Sequence, residues 1–311
     1  MIYLHQHKDF KELLKILENE SGIISTLIEK DYWIMHVLYG LKKQGYNFEL
    51  KGGTSLSKGL KIIDRFSEDI DIRIQPPQHL NINEKSTKTN SILKRKAFYD
   101  ILANEIKIDG IISVERDIEF DNIHSYMSGG IRLYYDSQTE YIVGLKPGIL
   151  LEVGFDQVTP NIGVDISSWA LDYAQPKLND LIVNKAYSVK CYDPCYTFVE
   201  KLQTIIKKYR QEMESRKLSQ NYIRQYYDVY CLLGINQVQD FIGTEAYFDH
   251  IKRRFPPVDR EFPINKQDAL FLPNPEIREA FKKRYYQTSS LYYKGQPDFD
   301  DILNRIEFYL H

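Results

Sequence analysis

The chain has 311 residues, 43 % of them hydrophobic, enough for one large domain or two modest ones with a sizeable core. A formal net charge of −2 excludes nucleic-acid binding driven by bulk charge, so any such contact rests on local patches. Three cysteines, no apolar run near 18 residues and no basic-then-apolar leader argue for a reducing cytosol, without disulfide scaffold, signal peptide or membrane span.

Residues 9–20 predict a short amphipathic helix. Residues 24–43 predict a longer one, with Leu27, Ile28, Trp33, Ile34, Val37, Leu38 and Leu41 on a broad apolar side suited to covering a sheet.

The stretch from residue 48 to 74 organises the rest. Phe48 and Leu50 read as a strand leading into Gly52-Gly53. Thr54 and Ser55 are placed to cap a following helix that carries Leu56, Leu60 and Ile63 on one side. Then comes Asp69-Ile70-Asp71-Ile72-Arg73-Ile74. Strand side chains alternate faces, so Asp69 and Asp71 point the same way, roughly 7 Å apart along the backbone, and the isoleucines fill the other face. Adjacent carboxylates repel, a cost that a divalent cation between them removes. The glycine turn offers backbone N–H groups at a helix start, where a phosphate fits. A phosphate cradle followed by a metal-binding Asp-x-Asp is what metal-assisted nucleotidyl transfer requires. Alone, a Gly-Gly is a turn and an Asp-x-Asp is solvated surface. Together and in this order they point to a site.

Pro76-Pro77 ends that strand, and residues 78–89 read as a polar loop. Residues 90–106 predict a helix whose Lys94, Arg95 and Lys96 form either a solvated face or an RNA or phosphate contact. Residues 111–120, 130–135 and 148–155 predict three strands. The last is apolar except for Glu152, and a carboxylate inside such a strand is costly unless paired or on a metal. Residues 182–187 and 189–192 read as two short extended segments. Cys191-x3-Cys195 has no second ligand pair for zinc. Beyond residue 194 the patterns are helical: 196–214, 220–233, 237–253, 275–286 and 299–310. On the first of these Lys201 borders the Leu202 and Ile205 stripe, as a snorkelling surface lysine would. On the second, Arg224 and Asp228 are spaced i, i+4 and can pair.

Gly52-Gly53-Thr54-Ser55-Leu56-Ser57-Lys58 followed by Arg65-Phe66-Ser67-Glu68-Asp69-Ile70-Asp71-Ile72 resembles the AbiEii/AbiGii-type toxin nucleotidyltransferases, members of the polymerase-β-like superfamily. Glu29-Lys30-Asp31-Tyr32-Trp33 resembles the stretch preceding the glycine motif in that family, where packing is its expected role, with Lys30 and Asp31 as exceptions. The resemblance implies a third acidic residue on a later strand beside the Asp pair: Glu152, with Asp156 and Asp165 as weaker candidates. It implies that Lys201 neutralises phosphate charge on a nucleotide. Arg224 and Asp228 match the family's Arg-[Asp/His]-x-x-Asp pattern, whereas Gln225 departs from it. Asp228 would orient Arg224 or Lys201, or act as a base.

The expectation is therefore an α/β (α+β) chain. A polymerase-β-like nucleotidyltransferase domain at 1–192, with a mixed sheet flanked by helices, precedes a helical domain at 193–311. Asp69, Asp71 and Glu152 would hold Mg²⁺ (or Mn²⁺). Gly52, Gly53, Thr54, Ser55, Lys58, Lys201 and Arg224 would bind an NTP. Asp69, Asp71, Glu152, Lys201 and Asp228 would carry catalysis. The resemblance implies an RNA acceptor such as a tRNA 3′ end, a cytoplasmic toxin role and a cognate antitoxin encoded nearby. The alternatives are a protein or small-molecule acceptor, or a binding module without transfer activity.

Overall fold

Along residues 69–74, Ile70, Ile72 and Ile74 are buried while Asp69, Asp71 and Arg73 are half-buried, the period of two that the alternation of residue types dictates. This strand lies near the middle of a sheet in the computed structural model, which describes residues 1–140, 142, 145–218 and 222–311. The described chain forms two compact units. One comprises Met1–Leu60 and Phe66–Tyr192, the other Lys61–Arg65 and Asp193–His311.

In the first unit, α1 (Phe10–Ser21) and α2 (Ser25–Lys43) precede β1 (Phe48–Lys51). A helical turn, α3 (Gly52–Thr54), runs on into a π-turn over Ser55–Gly59. Next come β2 (Asp69–Ile74), α4 (Thr89–Glu105), β3 (Ile111–Asp117), β4 (Ser128–Tyr135) and β5 (Ile149–Gly154). The unit closes with β6 (Asn161–Ile166), α5 (Trp169–Ala174) and β7 (Ala186–Tyr192). The strands form one mixed sheet in the order β3-β4-β5-β2-β1-β7-β6. β2 runs parallel to β5 and antiparallel to β1, and β1 runs parallel to β7. α2 packs on β5 and β7, and α4 on β3 and β4. This is the mixed α/β sheet with flanking helices that the patterning predicts.

Three local expectations need correction. The helix after the glycine turn ends at Gly59, so Ile63 packs from the loop beyond it rather than from its face. The two extended segments expected at 182–187 and 189–192 are one strand, β7, with a register irregularity opposite Val164 and Ile166. Its partner β6 escapes prediction because an edge strand with exposed Gly163 and Asp165 lacks a strong apolar signal.

The second unit holds α6 (Pro194–Ser215), α7 (Arg224–Leu232), α8 (Asn236–Phe241), α9 (Glu245–Arg254), α10 (Asp268–Phe271), α11 (Pro275–Tyr286) and α12 (Phe299–Leu310). Asp193 caps α6 by accepting from the Cys195 N–H, with Pro194 at the first helical position. The start expected at residue 220 lies outside the described residues. The helix expected over 237–253 is two helices. Gly243 at φ +83° stops the first, and Thr244 starts the second by accepting from the Tyr247 N–H. Among the described residues no helix is long and apolar enough to cross a membrane.

Candidate active site

Strand register assembles the carboxylates. Asp71 of β2 stands opposite Lys51 on the antiparallel side and Glu152 on the parallel side. Neighbours in register share a sheet face, so Lys51, Asp71 and Glu152 form a row, and Asp69 lies two residues along the same face. Asp156 is tied to Lys51 at 3.5 Å. Asp165, on the edge strand β6, accepts from the Ser188 N–H at 3.0 Å. Of the three acidic candidates, Glu152 is the one in register with the Asp pair.

The electrostatics reflect this crowding. Burial, reinforced by the Asp71 and Asp69 charges, raises the Glu152 pKa to about 8. Lys146 donates to both oxygens of Asp69, at 3.2 and 3.1 Å. Sequence reasoning missed Lys146, which lies in a loop and carries no local pattern. Among the described residues, no three His, Cys, Asp or Glu side chains already close into a metal-ligand cage. The three acidic side chains offer carboxylate oxygens, the type that hard cations take.

The glycine turn sits against this row. A Cβ built on Gly52 would stand 2.0 Å from Asp71 Oδ2, and Gly52 has φ +71°. The Thr54 and Ser55 hydroxyls do not cap the turn as expected. Thr54 Oγ1 donates to the Asp69 carbonyl, which ties the turn to the start of β2. Ser55 is fully buried, beside the Cys191 thiol.

The segment from Glu29 to Asp31 is buried yet charged, and each residue anchors a different part of the unit. Glu29 accepts from the Ser137 hydroxyl, the Gln138 N–H and the Thr139 hydroxyl. Lys30 pairs with Glu68 at 3.3 Å. Asp31 pairs with Lys58 at 2.7 Å and accepts from the Trp169 N–H at 2.8 Å. Lys58 also lies over the Trp169 ring, 4.7 Å from its centre. Packing is thus the role of Trp33, stacked on Tyr135, while Glu29 joins Lys30 and Asp31 as an electrostatic anchor.

The second unit carries its own cluster. Arg65 donates from Nε and Nη2 to the two oxygens of Asp228, each at 2.6 Å, and Lys201 reaches Asp228 Oδ2 at 2.8 Å. Burial alone would raise the Asp228 pKa, but Arg65 and Lys201 hold it below the usual carboxylate range. The guanidinium bracketing both Asp228 oxygens belongs to Arg65, a residue the i, i+4 spacing of Arg224 and Asp228 did not suggest. Arg224 opens α7 four residues before Asp228. Lys201 is buried rather than a snorkelling surface lysine.

Residues 36–305 match the family model described as nucleotidyl transferase AbiEii toxin, type IV toxin–antitoxin system. A solved structure of an antigenic nucleotidyltransferase-like protein from Paracoccidioides brasiliensis aligns at 12 % identity. It covers 82 % of this chain and 93 % of its own, with a TM-score of 0.38. No curated protein matches the chain.

Proposed function

We propose, for a chain that belongs to the AbiEii nucleotidyl transferase toxin family, that it moves an NMP from an NTP to a hydroxyl of an RNA acceptor. The observation that supports this most directly is the Asp71 carboxylate lying against Gly52. It brings the phosphate-facing turn and the carboxylate row to one place. Asp69, Asp71 and Glu152 are the residues that would hold Mg²⁺ or Mn²⁺, with further oxygen ligands coming from the substrate phosphates. When bound, the ion supplies positive charge to the triphosphate and makes the acceptor hydroxyl more acidic.

The chain's own groups do the rest. The backbone N–H groups of Gly53 and Thr54 hold the terminal phosphates. Glu152, besides its place beside the Asp pair, helps to take the proton from the acceptor hydroxyl. The acceptor oxygen forms a bond to the α-phosphorus, the bond from that phosphorus to the bridging oxygen breaks, and pyrophosphate leaves. By the family pattern, Lys201 and Arg224 are the residues that would offset phosphate charge. Asp228 serves as the anchor of Lys201 rather than as a base, because two cations hold its carboxylate ionised and occupied. Lys58 pairs with Asp31 as Lys201 does with Asp228, and that pairing has to open before its ammonium reaches a phosphate.

The family description supports a toxin role with a cognate antitoxin, and we propose growth arrest during phage attack as its setting. The test is label transfer. Purified protein, total RNA, Mg²⁺ and each α-³²P-NTP are mixed in turn, with an Asp69→Ala/Asp71→Ala control. Label on a discrete RNA band with one NTP, absent from the control, is expected. Label on protein would move the acceptor to a polypeptide. No label despite nucleotide binding would leave a binding module.

A further inference from the structure

Lys146 is held in place by a device larger than its side chain requires. Its backbone N–H donates to Glu68 Oε2 at 3.1 Å, and its backbone carbonyl accepts from Lys30 Nζ. Lys30 and Glu68 are themselves an ion pair at 3.3 Å, with side chains 3 % and 10 % exposed. One buried ion pair thus grips both peptide groups of a single loop residue. Burying two charges is costly, and here their remaining hydrogen-bonding capacity fixes where the Lys146 side chain starts. That side chain is 31 % exposed, so solvent and ligands reach it, and its ammonium lies on both oxygens of Asp69.

The ammonium therefore occupies one end of the carboxylate row that contains Asp71 and Glu152. Together with Lys51 on the same sheet face, this positive charge offsets the repulsion among the three carboxylates, and it competes with any other cation for Asp69. A lysine is suited to such an exchange, being a point charge on a flexible stem with three donors. An NTP brings a polyanion to the same place and offers the ammonium a stronger partner than one carboxylate.

We infer that Lys146 is a substrate-exchanged cation. In the free protein it neutralises Asp69; when a nucleoside triphosphate enters, it moves to a phosphate oxygen and leaves Asp69 to the divalent ion that accompanies the nucleotide. Lys30 and Glu68 are the positioning residues that keep it within reach of both partners. The carboxylate row then binds a divalent ion well only together with nucleotide. This rests on reading Asp69, Asp71 and Glu152 as the divalent-ion site.

The test is Mn²⁺ binding to the full chain, followed by electron paramagnetic resonance. It is run without nucleotide and with non-hydrolysable analogues of ATP, GTP, CTP and UTP in turn. Wild type is expected to bind Mn²⁺ weakly alone and at least ~10-fold tighter with one analogue, in keeping with the charge the phosphates add. Lys146→Met should raise nucleotide-free Mn²⁺ affinity roughly fivefold, the scale of a partly exposed ion pair, and lower analogue affinity. Lys146→Arg should restore analogue binding. Lys30→Met/Glu68→Gln, which removes the buried pair without stranding a charge, should shift both affinities as Lys146→Met does. Near-ultraviolet circular dichroism checks that each variant is folded. If folded Lys146→Met leaves both affinities within about twofold of wild type, the exchange is wrong while the divalent-ion site stands. If Asp69→Ala/Asp71→Ala binds Mn²⁺ as wild type does, the site reading fails and this inference fails with it.

Discussion

The Asp71 carboxylate fills the space that a side chain on Gly52 would take: a Cβ there would meet Asp71 Oδ2 at 2.0 Å and Cγ at 2.9 Å. The register of Lys51 with Asp71 causes this, since it carries the chain into the turn directly beside the carboxylate. Gly52 is also left-handed at φ +71°, so space and backbone both demand glycine.

Gly52→Ala should therefore lose more than backbone strain. Left-handed strain alone costs about 1–2 kcal/mol. Gly45 isolates that part, because it has φ +85° and open space around its would-be Cβ. Gly45→Ala should lose about that much stability in urea unfolding and keep its transfer activity. Gly52→Ala should lose at least as much stability and, with Asp71 displaced, on the order of 100-fold in transfer rate. Equal activity in the two variants would show that the Asp71 position is unimportant.

Glu152 gives a pH signature. Burial and then the Asp71 and Asp69 charges raise its pKa from 4.5 to about 8 in the folded protein. A carboxyl with a raised folded-state pKa contributes stability that is fully present below the unfolded value and lost as pH rises through the folded one. Metal-free protein should thus lose stability from Glu152 between about pH 4.5 and about pH 8. Glu152→Gln cannot ionise and should melt above wild type at pH 8 in EDTA, with the two curves converging toward pH 4.5. Melting curves that run parallel across this range would mean that Glu152 is not the strained carboxylate.

Asp228 should behave as a structural anchor. Asp228→Ala leaves Arg65 and Lys201 buried without their counter-charge, a loss of about 3–5 kcal/mol. Because its folded pKa is lowered, its contribution is present above the ordinary carboxylate range and fades as pH falls through the folded value. The difference between wild type and Asp228→Asn in calorimetry should therefore shrink in acid. A base at this position would give the opposite result: Asp228→Asn inactive but as stable as wild type at neutral pH.

The parts of the site that were legible in the sequence are those with a local period. Asp69 and Asp71 were readable because isoleucines alternate with them. Glu152 was readable because a lone carboxylate interrupts an apolar strand. Lys146 and Arg65 were not, because their meaning lies in partners far along the chain. Arg65 and Asp228 are 163 residues apart, and Lys146 and Asp69 are 77 apart. No window of sequence contains such a pair. The break between α8 and α9 was legible in principle, since Gly243-Thr244 is a stop followed by a cap, but the apolar period on either side masked it.

Lys58 separates a local reading from a tertiary one. Its place in the glycine motif suggests a nucleotide contact, whereas its ammonium lies 2.7 Å from the fully buried Asp31. Lys58→Met should destabilise the protein by about 3 kcal/mol, because it strands a buried carboxylate. Burial already raises the Asp31 pKa, so the stranded group will take up a proton and the loss should deepen as pH rises. Adding Asp31→Asn removes the charge and should recover most of the melting temperature, the coupling that a double-mutant cycle measures. If Lys58 is an anchor, nucleotide affinity in the double variant recovers along with stability. If stability recovers while nucleotide affinity stays roughly tenfold down, about the 1.4 kcal/mol of one charged contact, Lys58 touches the substrate and gives up Asp31 when nucleotide binds.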